Sequence, residues 1–287
     1  MSYQQKINRL FADINKKGAV YPTYPSYHKG PYLEEMFVEH GEKCGDRYLI
    51  PVFWTNAYKE QKQAIIQQKL HLLDPSKKYY CVCTHDDAPT ESLPPDTLVF
   101  GAGGNNLATI PVPLVVSEVP QYEEKEKDIT ASFIGSYTHP IRAQMAQCCP
   151  PEVHGYALSM QPHWSEKITE ERFRAFEDIS IRSKYMLCPR GYGPTSYRLY
   201  EAFQYKAVPV YISNRHWLPW QEEVEWDDLI IRMTPEELPN IKEIINSYEW
   251  KREAMINYAQ EVYGDFFAIK SVFNKILEVV EASTSLV

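Results

Sequence analysis

Short apolar runs alternate with polar and amphipathic stretches along the chain. Residues 48–54 (YLIPVFW) and 79–84 (YYCVCT) are mostly apolar and predict buried strands, and the stretch 60–73 between them has apolar residues near helical spacing. A further short strand is predicted at 97–100. This order of strands and helices is typical of an α/β fold, with parallel sheets covered by helices on both faces.

The same alternation continues in the second half of the chain. Strands are predicted at 129–134, 185–188, 208–212 and around 229–232, and helices at 169–180, from Thr195 onwards and in two segments after Pro235. In parallel α/β sheets, ligands bind beyond the carboxyl ends of the strands. The loops HDD, GSYT and PRGYGPTS each follow a predicted strand, so we expect binding residues in all three.

A run of charged residues, QYEEKEKD at 121–128, has no apolar periodicity and predicts a solvated linker. We therefore expect two domains, residues 1–125 and residues 126–287, each with its own parallel sheet. Two such domains joined by a linker would face a central cleft.

Composition narrows the class of protein. Of the 287 residues, 44% are hydrophobic, which is enough for a full core without disulfides or a structural metal. The formal net charge of −8 argues against nucleic acid as a partner. The polar N-terminus and the absence of a long apolar run predict a cytoplasmic protein without a signal peptide or membrane span. The six cysteines lack zinc-ligand spacing and are expected to be reduced.

The loop before the helix at Thr195 has the features of a phosphate site. Thr195 is the expected N-cap, and Gly191 and Gly193 let the backbone approach a ligand closely. A helix N-terminus attracts phosphate groups, and Arg190 and Arg198 add charge-assisted hydrogen bonds to a diphosphate.

Glu201 lies three residues after Arg198 on the same helix face, where its carboxylate can accept hydrogen bonds from ribose hydroxyls. The alternative is that these two residues form an ordinary ion pair and that the glycines only make a turn. The loop is neither a Walker A motif nor a dinucleotide-binding motif, because the Gly-Lys-Ser/Thr sequence and the third glycine are absent.

The stretch 185–213, YMLCPRGYGPTSYRLYEAFQYKAVPVYIS, closely resembles the signature of exostosin-type glycosyltransferases. HKGPYLEEMF at 28–37, YLIPVFWTNAY at 48–58 and CTHDDAP at 83–89 resemble the family's earlier segments more loosely. The resemblance spans most of the chain. It implies a GT-B architecture of two Rossmann-like domains, and inverting transfer of a sugar from a UDP-sugar to a glycan hydroxyl without a metal or other cofactor.

The resemblance also implies roles for residues near the phosphates. Arg190, Ser196 and Arg198 would hold the diphosphate, and Glu201 the ribose. The GSYT loop, with Gly135 and Ser136, and Arg142 beyond it would contact the phosphates from the other side.

Two departures from the family pattern are visible. Asp87 stands where the family has an aromatic residue, which would alter acceptor choice. The chain also shows no membrane anchor, so we expect a microbial or viral enzyme similar to short members in large algal viruses. Plant-like and algal-virus glycans are rich in xylose, which makes xylose the expected donor sugar and an oligosaccharide or glycoprotein glycan the expected acceptor.

The catalytic base is expected in the HDD loop. Asp86 is the favoured base, with His85 as its orienting partner or substitute and Asp87 beside them. Glu34 and Glu35 are the second choice, and a simple capping turn is the alternative for the loop. No Asp-x-Asp motif is present, which fits a metal-independent reaction.

Other readings remain open from the sequence. GAGGNN at 101–106 is not a nicotinamide-binding fingerprint, because no helix is predicted after it, and it is expected to line the acceptor cleft. Trp217 and Trp220 either stack on sugar or pack in the core.

Two alternative functions also fit the sequence. The main one is a non-catalytic nucleotide- or glycan-binding module with the same fold, and the other is a GT-B phosphorylase or epimerase.

Overall fold

A computed structural model of the chain describes residues 1–15, 30, 32–105, 108–119, 121–150, 155–163 and 168–284. The described residues form two compact units. The first comprises those from Met1 to Val115 together with those from Ala268 onwards, and the second comprises Val116 to Phe267. His28, Lys29 and Pro31 of the family-like segment and Asn106 of GAGGNN lie outside the described residues.

The first unit contains a four-stranded sheet in which every neighbouring pair is parallel, in the order β1-β2-β3-β4. The strands are β1 (Arg47–Leu49), β2 (Lys78–Cys83), β3 (Leu98–Gly101) and β4 (Ile110–Pro111). The helices of this unit are α1 (Tyr3–Phe11), α2 (Leu33–His40), α3 (Trp54–Lys59), α4 (Gln63–Leu70) and, from the end of the chain, α10 (Ile269–Ala282).

The second unit contains a five-stranded parallel sheet in the order β6-β5-β7-β8-β9. Its strands are β5 (Ile129–Ser136), β6 (Tyr156–Gln161), β7 (Ser183–Pro189), β8 (Val208–Ile212) and β9 (Ile231–Met233). Its helices are α5 (Pro140–Cys148), α6 (Glu170–Arg182), α7 (Tyr197–Gln204), α8 (Ile241–Ser247) and α9 (Arg252–Phe266), with 3₁₀ turns at Trp226–Asp228, Pro235–Asn240 and Glu249–Lys251.

The central strands are buried on both faces. Residues Tyr79–Cys83 of β2 and all five residues of β8 are buried. Strands covered on both sides consist of continuous apolar runs, because neither face meets water. The parallel order of both sheets confirms the predicted α/β class. All six cysteines are free thiols.

Two predicted boundaries in the first unit are wrong. The strand predicted at 48–54 ends at Leu49, because Pro51 has no N–H to donate to a neighbouring strand, and Trp54 already begins α3. The helix predicted at 60–73 spans only Gln63–Leu70. Gln61 adopts a left-handed conformation (φ 57°) that separates α3 from α4.

The end of the chain also differs from the prediction. Three helices, α8 to α10, replace the two expected after Pro235, and α10 belongs to the first unit. Phe273 of α10 packs against Phe37 of α2, with ring centroids 4.5 Å apart. The compact units therefore divide the chain differently from the boundary expected at residue 125, because the apolar face of α10 covers the first unit.

The charged run at 121–128 is attached to the second unit. Lys125 forms an ion pair with Asp178 at 2.6 Å, and Asp128 forms one with Arg182 at 2.6 Å. The ammonium group of Lys127 donates to the carbonyl of Tyr205 at 2.7 Å. The run has no regular secondary structure, but these contacts make it part of the second unit's surface rather than a solvated spacer.

Within the described ranges, no helix is both long enough and apolar enough to span a bilayer.

Candidate functional site

Two loops meet at the carboxyl edge of the second sheet. The first follows β5 and the second follows β7, and these two strands are parallel neighbours. The loops touch at Gly191, where a Cβ atom would lie 3.1 Å from Nη2 of Arg142 and 3.4 Å from Oγ1 of Thr138. A side chain at residue 191 would therefore press against both groups. Both loops begin later than predicted, because Gly135 and Ser136 are the last two residues of β5 and Pro189 is the last residue of β7.

Arg142, on the first turn of α5, holds the two loops together. Its guanidinium donates to the carbonyls of Ser136 (2.9 Å), Pro189 (3.3 Å) and Arg190 (3.1 Å), and lies 5.2 Å from the ring of Phe133. The side chain is buried. Arg142 therefore joins the backbones of the two loops by hydrogen bonds and places a positive charge where they meet.

Arg190 connects the loop after β7 to the residues that follow β8. Its Nη1 donates to Oδ1 of Asn214 at 2.7 Å, and its Nη2 donates to the carbonyl of Tyr192 at 3.0 Å. Asn214 lies after β8 and was not predicted from the sequence. These bonds fix the guanidinium beside the ends of β7 and β8.

The loop from Gly191 to Thr195 is anchored by β8. The carbonyl of Pro194 accepts hydrogen bonds from the hydroxyls of Tyr211 (2.9 Å) and Ser213 (3.1 Å), and the amide of Gly191 donates to the carbonyl of Thr195 (3.1 Å). Tyr211 near the end of β8 and Ser213 just after it thus set the shape of the loop. Gly193 is buried within it.

The N-cap of α7 is Ser196 rather than the predicted Thr195. The hydroxyl of Ser196 accepts a hydrogen bond from the amide of Arg198 at 3.4 Å, and Ser196 has the extended conformation of a cap. The expected helix N-terminus is therefore present, but it begins one residue later.

Two hydroxyls at this edge have no hydrogen-bond partner among the residues that the structure describes. Thr195 is only 4% exposed, and its Oγ1 forms no hydrogen bond with any described residue. The buried Oγ1 of Thr138, next to Gly191, also has none. A buried hydroxyl without a partner is costly, so these two groups indicate a place where a ligand supplies the missing bonds.

Arg198 and Glu201 form the ion pair that was the alternative interpretation of the sequence. Nη1 of Arg198 donates to the carboxylate of Glu201, which is 2% exposed, while Nε of Arg198 donates to the carbonyl of Ile134 at 3.0 Å. The guanidinium also stacks over the ring of Phe176, 4.2 Å from its centroid. The pair ties α7 to β5 and α6.

Positive charge is concentrated at this edge of the sheet. His139, the N-cap of α5, accepts from the amide of Ile141 through Nδ1 at 3.3 Å. Burial, followed by the positive charges of Arg190 and Arg142, lowers the pKa of His139. The sequence signal for this residue was the His-Pro pair, since proline favours the first position of a helix and the residue before it is then the cap.

Ser136 and Gly135 shape the end of β5. Ser136 is buried, and its carbonyl accepts from Arg142 and from the amide of Thr138. A Cβ at Gly135 would lie 2.4 Å from the ring of Phe133. Glycine is therefore required at residue 135 for packing.

In the first unit, the HDD loop lies at the end of β2. Nδ1 of His85 accepts from the amide of Asp87 at 3.1 Å, and the ring packs in a tilted arrangement against Tyr58 with centroids 4.3 Å apart. Oδ1 of Asp87 accepts from the side chain of Asn105 at 3.2 Å. Asp86 and Asp87 are both half-buried.

The glycine-rich loop after β3 packs against Asp86. A Cβ at Gly103 would lie 2.2 Å from Cα and 2.7 Å from Oδ1 of Asp86, and the amide of Asn105 donates to the Asp86 carbonyl at 2.9 Å. Gly101 is the last residue of β3, and residues 102–105 form the predicted loop. Gly103 was not recognised from the sequence, because its contact joins two loops that are distant along the chain.

Glu34, the second-choice base, is a structural carboxylate. It is fully buried and accepts from the amides of Thr55 (3.0 Å) and Thr84 (2.7 Å) and from both threonine hydroxyls (2.7 and 2.9 Å). Its oxygens therefore hold α3 and the end of β2 together. Glu35 is half-buried on the same helix.

Trp217 and Trp220 are buried, so the core-packing interpretation is correct and sugar stacking is not. Nε1 of Trp220 donates to the carbonyl of Phe266 at 3.1 Å. In the part of the chain that the structure describes, no group of three or more His, Cys, Asp or Glu side chains has the arrangement of a metal site.

Comparison with known families identifies the sequence. The profile of the Exostosin GT47 domain matches residues 80–248, which is more than half of the chain. The chain belongs to the exostosin GT47 family. The matched range contains the HDD loop of the first unit and every candidate residue at the carboxyl edge of the second sheet.

The exostosin relatives include plant proteins. A probable glycosyltransferase of Arabidopsis thaliana is 27% identical over 128 residues, a match covering 42% of this chain and 22% of the relative. A probable glucuronosyltransferase of Oryza sativa subsp. japonica is 34% identical over 79 residues, covering 28% of this chain and 18% of the relative. The chain thus aligns with about a fifth of the length of these relatives.

Two solved structures resemble the exostosin chain. One is HepE of Anabaena in complex with UDP, at 12% identity and a TM-score of 0.40, covering 96% of both chains. The other is TarM, at 8% identity and a TM-score of 0.39, covering 76% of this chain and 58% of TarM. The two parallel α/β units agree with the GT-B class expected for the family.

Proposed function

We propose that this exostosin-family chain transfers a sugar from a UDP-sugar to a hydroxyl of an acceptor glycan, with inversion at the anomeric carbon and without a metal. The carboxyl edge of the second sheet is the proposed donor site. Family membership supports transfer in general, and the charges and hydroxyls at this edge support a diphosphate as the group that is bound.

The observation that carries the proposal is the pair of unpartnered hydroxyls. Oγ1 of Thr138 and Oγ1 of Thr195 are buried, on the two loops that meet at Gly191. They lie among positively charged groups and beside the N-terminus of α7, which favours an anion. Oxygens of a diphosphate would accept hydrogen bonds from both hydroxyls and offset the free-energy cost of burying them.

The same groups would stabilise the leaving UDP. In the proposed reaction, the acceptor oxygen bonds to the anomeric carbon while the bond from that carbon to the β-phosphate oxygen breaks, and UDP leaves with the bonding electrons. Asp86 takes the proton of the attacking hydroxyl. Arg190 and the N-terminus of α7 provide positive potential for the departing phosphate, a role that metals fill elsewhere.

Arg142 is proposed to position the two loops, since its guanidinium bonds to three loop carbonyls. Ser196 and Arg198 remain proposed diphosphate ligands, and Glu201 a proposed ribose ligand. Because Glu201 is buried in an ion pair, removing Arg198 would leave a buried charge and destabilise the fold. Substitutions of Arg198 therefore make poor tests of binding.

Two donor sugars are proposed for testing. Xylose is the donor expected from the sequence, and glucuronate is named by the rice relative. Since the chain aligns with only part of such relatives, the donor must be measured.

The experiment measures UDP release from a panel of UDP-sugars that includes UDP-xylose and UDP-glucuronate. Each is tested with and without EDTA, and with acceptors such as xylotetraose. The variants are Thr138→Val and Thr195→Val, which keep the side-chain shape and remove the hydroxyl. Thr130→Val, at the opposite end of β5, is the matched control.

We expect wild type and control to release UDP from one donor regardless of EDTA. Each site variant should raise the Kd for UDP by about 10- to 150-fold, because a hydrogen bond to a charged group contributes about 1.5–3 kcal/mol. Thermal stability should stay equal or rise. Binding of UDP without release would favour the non-catalytic module, and no UDP binding by the wild type would refute the donor site.

A further inference from the structure

The ring of His85 is fixed in the first unit by two contacts. It packs against the ring of Tyr58 of α3, with centroids 4.3 Å apart and ring planes tilted by 36°, and its Nδ1 accepts a hydrogen bond from the backbone amide of Asp87 at 3.1 Å. A backbone N–H can only donate, so Nδ1 must present its lone pair. The neutral ring therefore carries its proton on Nε2.

The Nε2–H group is available as a donor. The ring is only half-buried, and Nε2 makes no hydrogen bond with the residues that the structure describes. Burial lowers the pKa of His85, the carboxylate of Asp87 opposes this effect, and the ammonium group of Lys59 adds to it. The lowered pKa favours the neutral ring, and the hydrogen bond at Nδ1 places its proton on Nε2.

We propose that His85 donates a hydrogen bond from Nε2–H to an oxygen of the acceptor glycan and does not take the proton of the attacking hydroxyl. This inference rests on the proposed function, which supplies the acceptor. To act as a base, His85 would have to bind the proton at Nδ1. That would break the bond from Asp87 and leave two N–H groups facing each other, so Asp86 keeps the role of base.

The first test is independent of activity. Nitrogen-15 NMR of the histidine rings, with His85 assigned by its absence in His85→Gln, reports the tautomer and the pKa. We expect the Nε2–H tautomer and a pKa below the ordinary value of 6.5. An Nδ1–H tautomer, or a ring that is charged at pH 7, would overturn the inference.

The second test separates a donor from a base by kinetics. His85→Gln keeps an N–H donor, whereas His85→Phe keeps an aromatic ring against Tyr58 and removes the donor. We expect His85→Phe to raise the KM for the acceptor about tenfold and His85→Gln to raise it less than threefold. The fall of kcat/KM at low pH reports protonation of the catalytic base, so it should occur over the same pH range in both variants. His71→Gln, an exposed site in the same unit, is the control.

The outcomes distinguish the two levels of proposal. If the wild type releases UDP from none of the panel sugars, the proposed function fails whatever tautomer His85 has. If the wild type is active but the two His85 variants are equally impaired, or the fall of kcat/KM at low pH is lost in both, the inference fails and the proposed function stands.

Discussion

At the scale of single residues, Glu34 and Glu35 are adjacent carboxylates with opposite environments. Glu34 accepts four hydrogen bonds from Thr55 and Thr84 in a fully buried position, whereas Glu35 is half-buried. Glu34→Gln would turn one acceptor oxygen into a donor that faces an amide or hydroxyl. We expect it to lower the free energy of unfolding of the first unit by about 2–3 kcal/mol.

Hydrogen exchange of peptides that contain β2 measures this change, and Glu35→Gln is the matched control, expected within about 0.5 kcal/mol of wild type. Equal stabilities of the two variants would show that the four bonds contribute little, and would reopen Glu34 as a candidate base.

The same pair shows what a sequence conveys about single residues. Both glutamates sit in the segment that resembles the family, and nothing local separates a buried structural carboxylate from a surface one. The partners of Glu34 lie 21 and 50 residues further along the chain. Gly103 and Arg142 likewise depend on contacts between separate loops, so their roles could not be derived from spacing.

At the scale of elements, the apolar pattern predicted β8 with both ends correct, because VPVYI is an apolar run that is buried on both faces. Predictions failed where one backbone conformation decided a boundary, at Pro51 and Gln61. The helix after residues 191–195 was predicted from the glycine- and proline-rich turn that leads into it. Its cap shifted from Thr195 to Ser196 because both residue types cap helices well.

The N-cap of helix α5 gives a prediction for how the stability of the fold depends on pH. Burial and two arginines lower the pKa of its cap, His139, below the unfolded value of 6.5, so the unfolded chain binds the proton more readily. Stability from this residue is present above pH 6.5 and is lost as the pH falls below it. His139→Asn keeps a capping oxygen and cannot titrate, so we expect it to lose less stability between pH 6.5 and 5.

Urea unfolding at a series of pH values measures the effect. His85 also has a lowered pKa, so it too makes stability fall as the pH falls. In His139→Asn, the dependence of the free energy of unfolding on pH should therefore be weaker than in the wild type but not absent. A variant whose stability falls with pH as steeply as that of the wild type would contradict the assigned effect of the arginines on His139.

At the scale of the whole molecule, the two units are proposed to have separate tasks, because the unpartnered hydroxyls belong to the second unit and the HDD loop to the first. Asp86→Asn keeps the size of the side chain and removes its basicity. We expect it to lower the rate of sugar transfer at saturating donor by about 100-fold or more, with the Kd for UDP unchanged within about twofold.

Thr195→Val should show the opposite pattern, with a higher Kd for UDP and a smaller loss of kcat than in Asp86→Asn. Calorimetric titration of UDP and single-turnover transfer separate the two effects. Weaker UDP binding in Asp86→Asn, or undiminished transfer, would refute this division and remove Asp86 as the base.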